Sequence, residues 1–433
     1  MLVDLVISIA ILVFLLSFGT PLPFCFGGAL MYMVLCTDIG SMSGMYLWSF
    51  EQLINPVLLC IPLFVFAGNL MSESGIADAL LRLCNLLLGR FKGALGSVAV
   101  VACAIIGAIS GSGLTGVAAT GPLLIPRMEA QGYDRAYATA LIANASVLGL
   151  LIPPSINMVV YGWVTETSIL ACFLSTLLPG LILMLVFCVV NSCYVRRRPI
   201  RVSSESFGQA VKKLPKTGLA ALPALMMPVI ILGGIYGGIM TPTESAAVAC
   251  AYAIPVGLFV YRGLRPGAIS MAAKESATAV GSIMVMVLFG LMLSQQFVFG
   301  GLPQELADFL LGVTQNKAVL LLLINAVLIF VGMILNDVTG ILLMSPLLLP
   351  LVKAMGIHPV HFAAIIGVNL SMGTLTPPFA GILYFSMRIG KVEFADIVGP
   401  VMLLLCLGYI PMCFLVTFYE PLAMWLPRFF GLV

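Results

Sequence analysis

Two stretches of the chain carry adjacent prolines inside apolar runs of membrane-spanning length: GLLIPPS (149–155) and GTLTPPF (373–379). An interior proline removes a backbone donor, clashes with the preceding turn and costs a helix about 3 kcal/mol. Each pair should therefore unwind its helix. The unwound backbone exposes carbonyl oxygens on one half, which suit a small hard cation such as Na⁺, and amide ends on the other, which suit a carboxylate. Two polar tips lie upstream of the breaks, SGSGLTG (110–116) and NDVTG (336–340). Pairing one tip with one break gives two candidate Na⁺ sites. The first holds Ser110, Ser112, Gly149, Ile152 and Pro154; the second holds Gly332, Asn336, Gly373, Thr376 and Phe379. Many of these act through main-chain oxygens, so their side chains need not look like ligands. An organic anion would sit between the two sites, with Ser155, Asn157, Asp337 and Pro378 as its candidate contacts. Asp337 is the one carboxylate in a tip. It either handles ion or substrate, or it holds the amides of its own tip. Asn144, Asn157 and Asn369 also lie in the broken helices, where helix-to-helix bonding is the plainer role.

The elements that must position these residues follow from composition. The 433 residues are 61% hydrophobic and only 9% charged, against about 25% charged in a soluble protein. Recurrent apolar runs make this an all-α polytopic protein embedded in a lipid bilayer. The net charge of +3 is too small and too dispersed for a nucleic-acid partner. Eleven cysteines are scattered without C-x-x-C spacing and read as small apolar side chains. His358 and His361 share one loop, with no HExxH motif. No nucleophile–base pair or carboxylate dyad is present either, which argues against an intramembrane enzyme.

Hydropathy predicts spans over 2–36, 53–72, 136–162, 168–193, 217–238, 244–261, 277–298, 361–386 and 397–419. The first is kinked at GTPLP (19–23) and is one piece or two. The regions 93–126 and 318–350 are too long for one span and return the chain to the side it left. With the N-terminus cytoplasmic, 17 of the 20 basic residues fall on the cytoplasmic side and only Lys317, Lys353 and Arg428 outside. This is a strong positive-inside bias, and it leaves the C-terminus external.

The double prolines lie 377 − 153 = 224 residues apart, and the same offset joins Pro122 to Pro346, Pro126 to Pro350 and Gly149 to Gly373. Residues 112–154 match 336–378 at 14 of 43 positions. In the predicted topology the copies enter the membrane from opposite sides. An inverted repeat with paired helix breaks is the architecture of secondary transporters. The expected organisation is a scaffold helix and external loop (1–56), repeat 1 (57–193, hairpin 93–126, broken helix 136–162), a cytoplasmic basic linker (194–216), scaffold helices (217–276), and repeat 2 (277–433, hairpin 318–350, broken helix 361–386).

The chain also resembles the large membrane subunit of a TRAP transporter, the tripartite ATP-independent periplasmic type. The likeness rests on IPLFVFAGNLMSESGIADAL (61–80), GAISGSGLTGVAATG (107–121), GLLIPPSINMVVYG (149–162), TPTESAAV (241–248), SPLLLPLVKAMGIHP (345–359) and GTLTPPF, in family order over essentially the whole chain. The resemblance implies a sodium-driven elevator in a bacterial inner membrane. There, re-entrant hairpins and broken helices slide against a scaffold and carry an organic acid, such as a C4-dicarboxylate or sialic acid, inward. It implies two partners: a small four-span membrane subunit, expected as a separate chain because nothing like it precedes Met1, and a periplasmic solute-binding protein. The alternative is a stand-alone ion-coupled dicarboxylate or anion carrier that needs no binding protein.

Overall fold

The computed structural model describes residues 2–37, 39, 41–88, 92–196, 198–200, 207–377 and 380–433. Among them, eight helices are long and apolar enough to cross a membrane, and the described residues contain no strand. The chain opens with α1 (Leu2–Ser17) and α2 (Leu22–Cys36), separated by a turn at Gly19 and by Pro21. They pack antiparallel. Tyr32 donates to Asp4 at 3.2 Å, and Gly28 leaves room for Leu15, whose Cδ1 would lie 2.5 Å from any Cβ there. Of the two readings open for 2–36, one piece or two, the structure has two, a helical hairpin followed by α3 (Met42–Leu53). The cause is GTPLP, which supplies a left-handed glycine and a proline that cannot continue α1.

Helix α4 (Cys60–Ser74) ends at left-handed Gly75 and leads into the amphipathic α5 (Ile76–Leu88). Helices α6 (Ala94–Ser110) and α7 (Gly113–Ala130) form the first re-entrant hairpin. The first broken helix is α8 (Arg135–Ser146), a 3₁₀ turn (Val147–Leu150), an unwound 151–155 and α9 (Ile156–Val164). Next come α10 (Ile169–Arg196), α11 (Phe207–Tyr236) and α12 (Pro242–Pro255). The TPTE motif is the start of α12. The Thr241 hydroxyl accepts from Glu244 N–H, and the Glu244 carboxylate accepts from Thr241 N–H, a reciprocal cap with Pro242 in the first turn.

The second copy repeats this order with α13 (Pro266–Phe299), α14 (Leu302–Val313), hairpin α15 (Lys317–Ile334) and α16 (Asp337–Ala354), and broken helix α17 (Pro359–Gly373) and α18 (Gly381–Gly390). Helices α19 (Phe394–Leu404) and α20 (Ile410–Phe418) join through a π turn into one span, and α21 (Glu420–Phe429) closes the chain. The 224-residue offset carries both ends of α7 onto both ends of α16, since 113 + 224 = 337 and 130 + 224 = 354. The fold is therefore an all-α membrane bundle of two repeats, each with a re-entrant hairpin and a broken helix.

The broken helices form its centre. Every residue from 136 to 151 and from 360 to 375 is buried, so α8 and α17 are covered all round. Each break is pressed against its hairpin through glycine. A Cβ on Gly149 would lie 2.4 Å from Gly107 Cα, and one on Gly373 would lie 2.4 Å from the Gly332 carbonyl carbon. Neither neighbour is a flexible side-chain end that can move aside. We expect Gly149→Ala and Gly373→Ala each to lower stability by about 1–3 kcal/mol through overpacking. Gly281→Ala on α13, where a Cβ meets nothing within 4 Å, should not. Thermal unfolding of the purified proteins in detergent checks this, and equal melting temperatures for all three would refute the contact.

Candidate functional site

The two hairpin tips and the two breaks face one cavity of about 260 Å³. Its wall includes the first two residues of four helices: Gly113 and Leu114 of α7, Ile156 and Asn157 of α9, Asp337 and Val338 of α16, and Gly381 and Ile382 of α18. Each repeat therefore contributes one hairpin helix and one half of a broken helix, both by their N-termini. Each N-terminus carries about half a positive charge on N–H groups without intrahelical partners. No lysine, arginine or histidine is among the described residues lining the cavity. Among the described residues, only backbone N–H groups bring positive charge to it.

Three of the four ends are left open by their own capping residues. Ser112 and Ser155 stand at the cap positions of α7 and α9, and serine there normally accepts from the first turn. Neither does so. The Ser155 hydroxyl donates to the Leu150 carbonyl instead, bracing the break. Ala380, before α18, has no side chain able to cap. The fourth end, α16, is closed: Asn336 Oδ1 accepts from Val338 N–H at 3.1 Å, and Asp337 occupies the first turn. Asp337 is buried and makes no ion pair with a described residue.

Asn157 sits beside the Asp337 carboxyl. It is fully buried, and neither its side-chain nitrogen nor its oxygen has a hydrogen-bond partner of good geometry. A buried amide without a protein partner on a cavity wall is a group that a polar ligand would satisfy.

Of the residues singled out in the sequence, the cavity wall brings together Ser112, Asn157, Gly332, Asn336 and Asp337. Ser110 ends α6 just behind the first tip; its hydroxyl donates to the carbonyls of Gly107 (3.2 Å) and Ser112 (3.3 Å) and so closes the tip. Gly149 and Gly373 lie at the glycine contacts, off the wall. Ile152 packs against Gly180 of α10, and Pro154 is buried after a cis peptide bond from Pro153. Thr376 lies in the second break, where its hydroxyl donates to the Met372 carbonyl at 2.9 Å. Pro378 and Phe379 fall outside the described residues. Asn369 bonds across helices as the plainer reading has it, donating to Asn325 Oδ1 at 2.7 Å, while Asn325 donates to Thr417 at 3.0 Å. Asn144 instead donates back to Ala140 within its own helix.

Hydroxyl and carbonyl oxygens are the donors that a small alkali cation takes. At the first break, Leu151 N–H and Ile152 N–H both go to the Leu148 carbonyl, and the next two residues are prolines with no N–H to give. The Gly149 carbonyl is thereby left without the donor that a continuous helix would bring. At the second break Thr376 N–H reaches the Gly373 carbonyl at 3.0 Å, and Pro377 then ends the ladder. Sequence reasoning missed Gly381 and Thr374 on the wall. The signal for Gly381 was present, a glycine soon after the second proline pair.

Known proteins bear on this geometry. The profile of the tripartite ATP-independent periplasmic transporter DctM component matches residues 9–422. A sialic acid TRAP transporter large permease protein, SiaM of Vibrio cholerae, is 36% identical over 381 residues, covering 87% of each chain. A C4-dicarboxylate TRAP transporter large permease protein, DctM of Pseudomonas aeruginosa, is 32% identical over 411 residues, covering 94% of this chain and 93% of its own. Among solved structures, the YdaH transporter of Alcanivorax borkumensis superposes with a TM-score of 0.61 at 17% identity, over 87% of this chain and 88% of its own, which is a likeness of fold.

Because Asn157 makes no hydrogen bond of good geometry, removing its amide should cost little stability. We expect Asn157→Ala to keep or raise the melting temperature while substrate uptake falls at least about tenfold, the scale of one lost polar contact to a charged ligand. A variant that melts earlier and transports normally would make Asn157 a structural residue.

Proposed function

The chain belongs to the DctM family of tripartite ATP-independent periplasmic transporters, and on that footing we propose that it is the large permease of a sodium-driven importer of a small organic acid. The family is one of transporter permeases rather than enzymes. The observation that carries the anionic substrate is the convergence of four helix N-termini, three of them uncapped, on a cavity whose described wall has no basic side chain. A carboxylate there would be held by backbone N–H groups, with Asn157 fixing its orientation. The relatives named for sialic acid and for C4-dicarboxylates support an acid as the cargo class, and the small cavity favours a small one.

Sodium coupling is supported by the hydroxyl and carbonyl oxygens gathered at the tips and breaks. Ser110, Ser112, Gly149, Ile152 and Pro154 would hold one ion, and Gly332, Asn336, Gly373, Thr376 and Phe379 a second. The two hairpins and two broken helices would move as one transport domain against a scaffold that includes α1, α2, α4, α11, α12 and α13. The word tripartite and the designation large permease support two partners, a small membrane subunit and a periplasmic binding protein, in the inner membrane. The α1–α2 hairpin bears on orientation, because it returns the chain to the side where it began. No lysine or arginine precedes Arg82, so a crossing by each of these two helices would keep the 17-to-3 bias and put the N-terminus outside, on the side proposed for the C-terminus.

Reconstitution with the small subunit and binding protein tests this. Uptake should require an inward Na⁺ gradient, rise with an inside-negative potential and vanish without the binding protein. Equal uptake under a proton gradient without sodium would overturn the coupling. Uptake independent of the binding protein would favour a stand-alone carrier.

The breaks themselves can be healed. Pro153→Ala with Pro154→Ala, and separately Pro377→Ala with Pro378→Ala, restore the missing N–H groups and should leave inserted, folded proteins that have lost sodium-driven uptake. Sodium-dependent thermal shifts should fall in each, every pair impairing mainly its own site. Double variants that transport like the parent would reduce the prolines to bends.

A further inference from the structure

A second cavity, of about 790 Å³, lies away from the tips, between the start of α8, the end of α10 and the α18–α19 loop. It opens where two membrane spans, 169–196 and 394–418, end beside a cluster of basic residues. Arg198, Lys391, Glu393 and Asp396 all line it, yet none forms an ion pair with a described residue. The other two charged residues of the wall are engaged. Asp134 caps α8 through Tyr137 N–H, and Arg135 pairs with Glu129 and donates to the Gly390 carbonyl. The aromatic floor is rigid: Tyr194 stacks on Tyr137 with centroids 3.4 Å apart, and the Arg198 guanidinium lies 4.4 Å above the Tyr194 ring. Tyr137 is almost wholly buried, and its hydroxyl has no partner.

Two free cations and two free carboxylates around one cavity balance to zero, so neither a simple anion nor a simple cation satisfies them. A ligand bearing both signs does. Deeper in the bilayer the wall becomes apolar at Pro400 and Leu403, and the exposed Leu407 and Phe414 continue that face along the span. We propose that this cavity binds the headgroup of a zwitterionic phospholipid, one carrying a phosphate and a primary ammonium as phosphatidylethanolamine does. Arg198 and Lys391 hold the phosphate, Glu393 and Asp396 receive the ammonium, and the acyl chains lie along Leu403 and Leu407. Tyr194 sits at the headgroup level, where tyrosine is enriched. The proposal is independent of the transport reading.

The test is native mass spectrometry of the full chain in detergent with equimolar phosphatidylethanolamine and phosphatidylglycerol. The parent should retain the zwitterionic lipid about tenfold over the anionic one, the scale of one or two partly exposed ion pairs. Arg198→Ala with Lys391→Ala should lower retention of both lipids, since both carry the phosphate, and leave the preference for the zwitterionic one in place. Glu393→Gln with Asp396→Asn should reverse it toward phosphatidylglycerol, because the phosphate contacts remain and the ammonium contacts are gone. Equal retention of both lipids by the parent, a measurement that needs no variant, would overturn the proposal. So would unchanged retention in the first charge variant or an unchanged preference in the second. Soluble phosphoethanolamine at the same concentration should not displace the lipid; displacement would assign the cavity to free headgroup compounds instead of the membrane.

Discussion

Inside a bilayer every backbone N–H and C=O must find a partner within the protein, and each one that does not costs several kcal/mol. The double prolines violate that rule twice, and the rest of the fold follows from containing the violation. Residues 136–151 and 360–375 are buried without exception, so each break opens from a helix that the protein covers all round. The hairpins supply the cover. Their glycines, Gly107 and Gly332, let main chain lie against main chain at each break, a closeness that any side chain would prevent. The same enclosure makes the loose carbonyls and amides useful. Shielded from lipid and from bulk water, they keep the strength that a low-dielectric surrounding gives to partial charges.

The repeats are equal in backbone and unequal in chemistry. Helices α7 and α16 begin and end in register, yet the first tip turns on left-handed Gly111 and leaves its serine uncapped, whereas the second turns on extended Leu335 and caps itself with Asn336. Asp337 then places a carboxylate where the first repeat has Gly113. Pseudosymmetry thus sets where the four helix ends point, and side chains break the symmetry at one of them. The wall is most positive along α7, α9 and α18 and is offset at α16.

The fold was legible in the sequence to a degree set by how backbone-driven each feature is. The hairpins and broken helices appeared within a few residues of their observed bounds, because proline, glycine and a 224-residue offset are written in residue types. The α1–α2 hairpin was legible only as a kink, since two short apolar helices joined by four residues have the same hydropathy as one long span. At the site, Ser112, Asn157, Gly332, Asn336 and Asp337 could be found because tips and breaks are where polar atoms collect. What could not be read was hydroxyl direction. Ser110, Ser155 and Thr376 all look like ligand donors by type, and all three hydroxyls donate to nearby carbonyls. A hydroxyl rotor chooses its partner in three dimensions, and a donated hydroxyl still has lone pairs to offer a cation.

An anion site built from helix ends differs in kind from one built from arginine. A buried guanidinium keeps its full charge at all times, so it would hold a carboxylate in every conformation of the cycle. Helix N-termini supply only partial charges fixed to the backbone, and here the Asp337 carboxyl group stands at one of the four. Such a site would bind an acid weakly alone. Cations at the adjacent breaks would raise that affinity, and by linkage the acid would raise the affinity for the cations by the same factor. On the proposed reading, the lack of a basic side chain among the described residues of the wall is what would let binding of the acid depend on the ions, and what would let it leave with them.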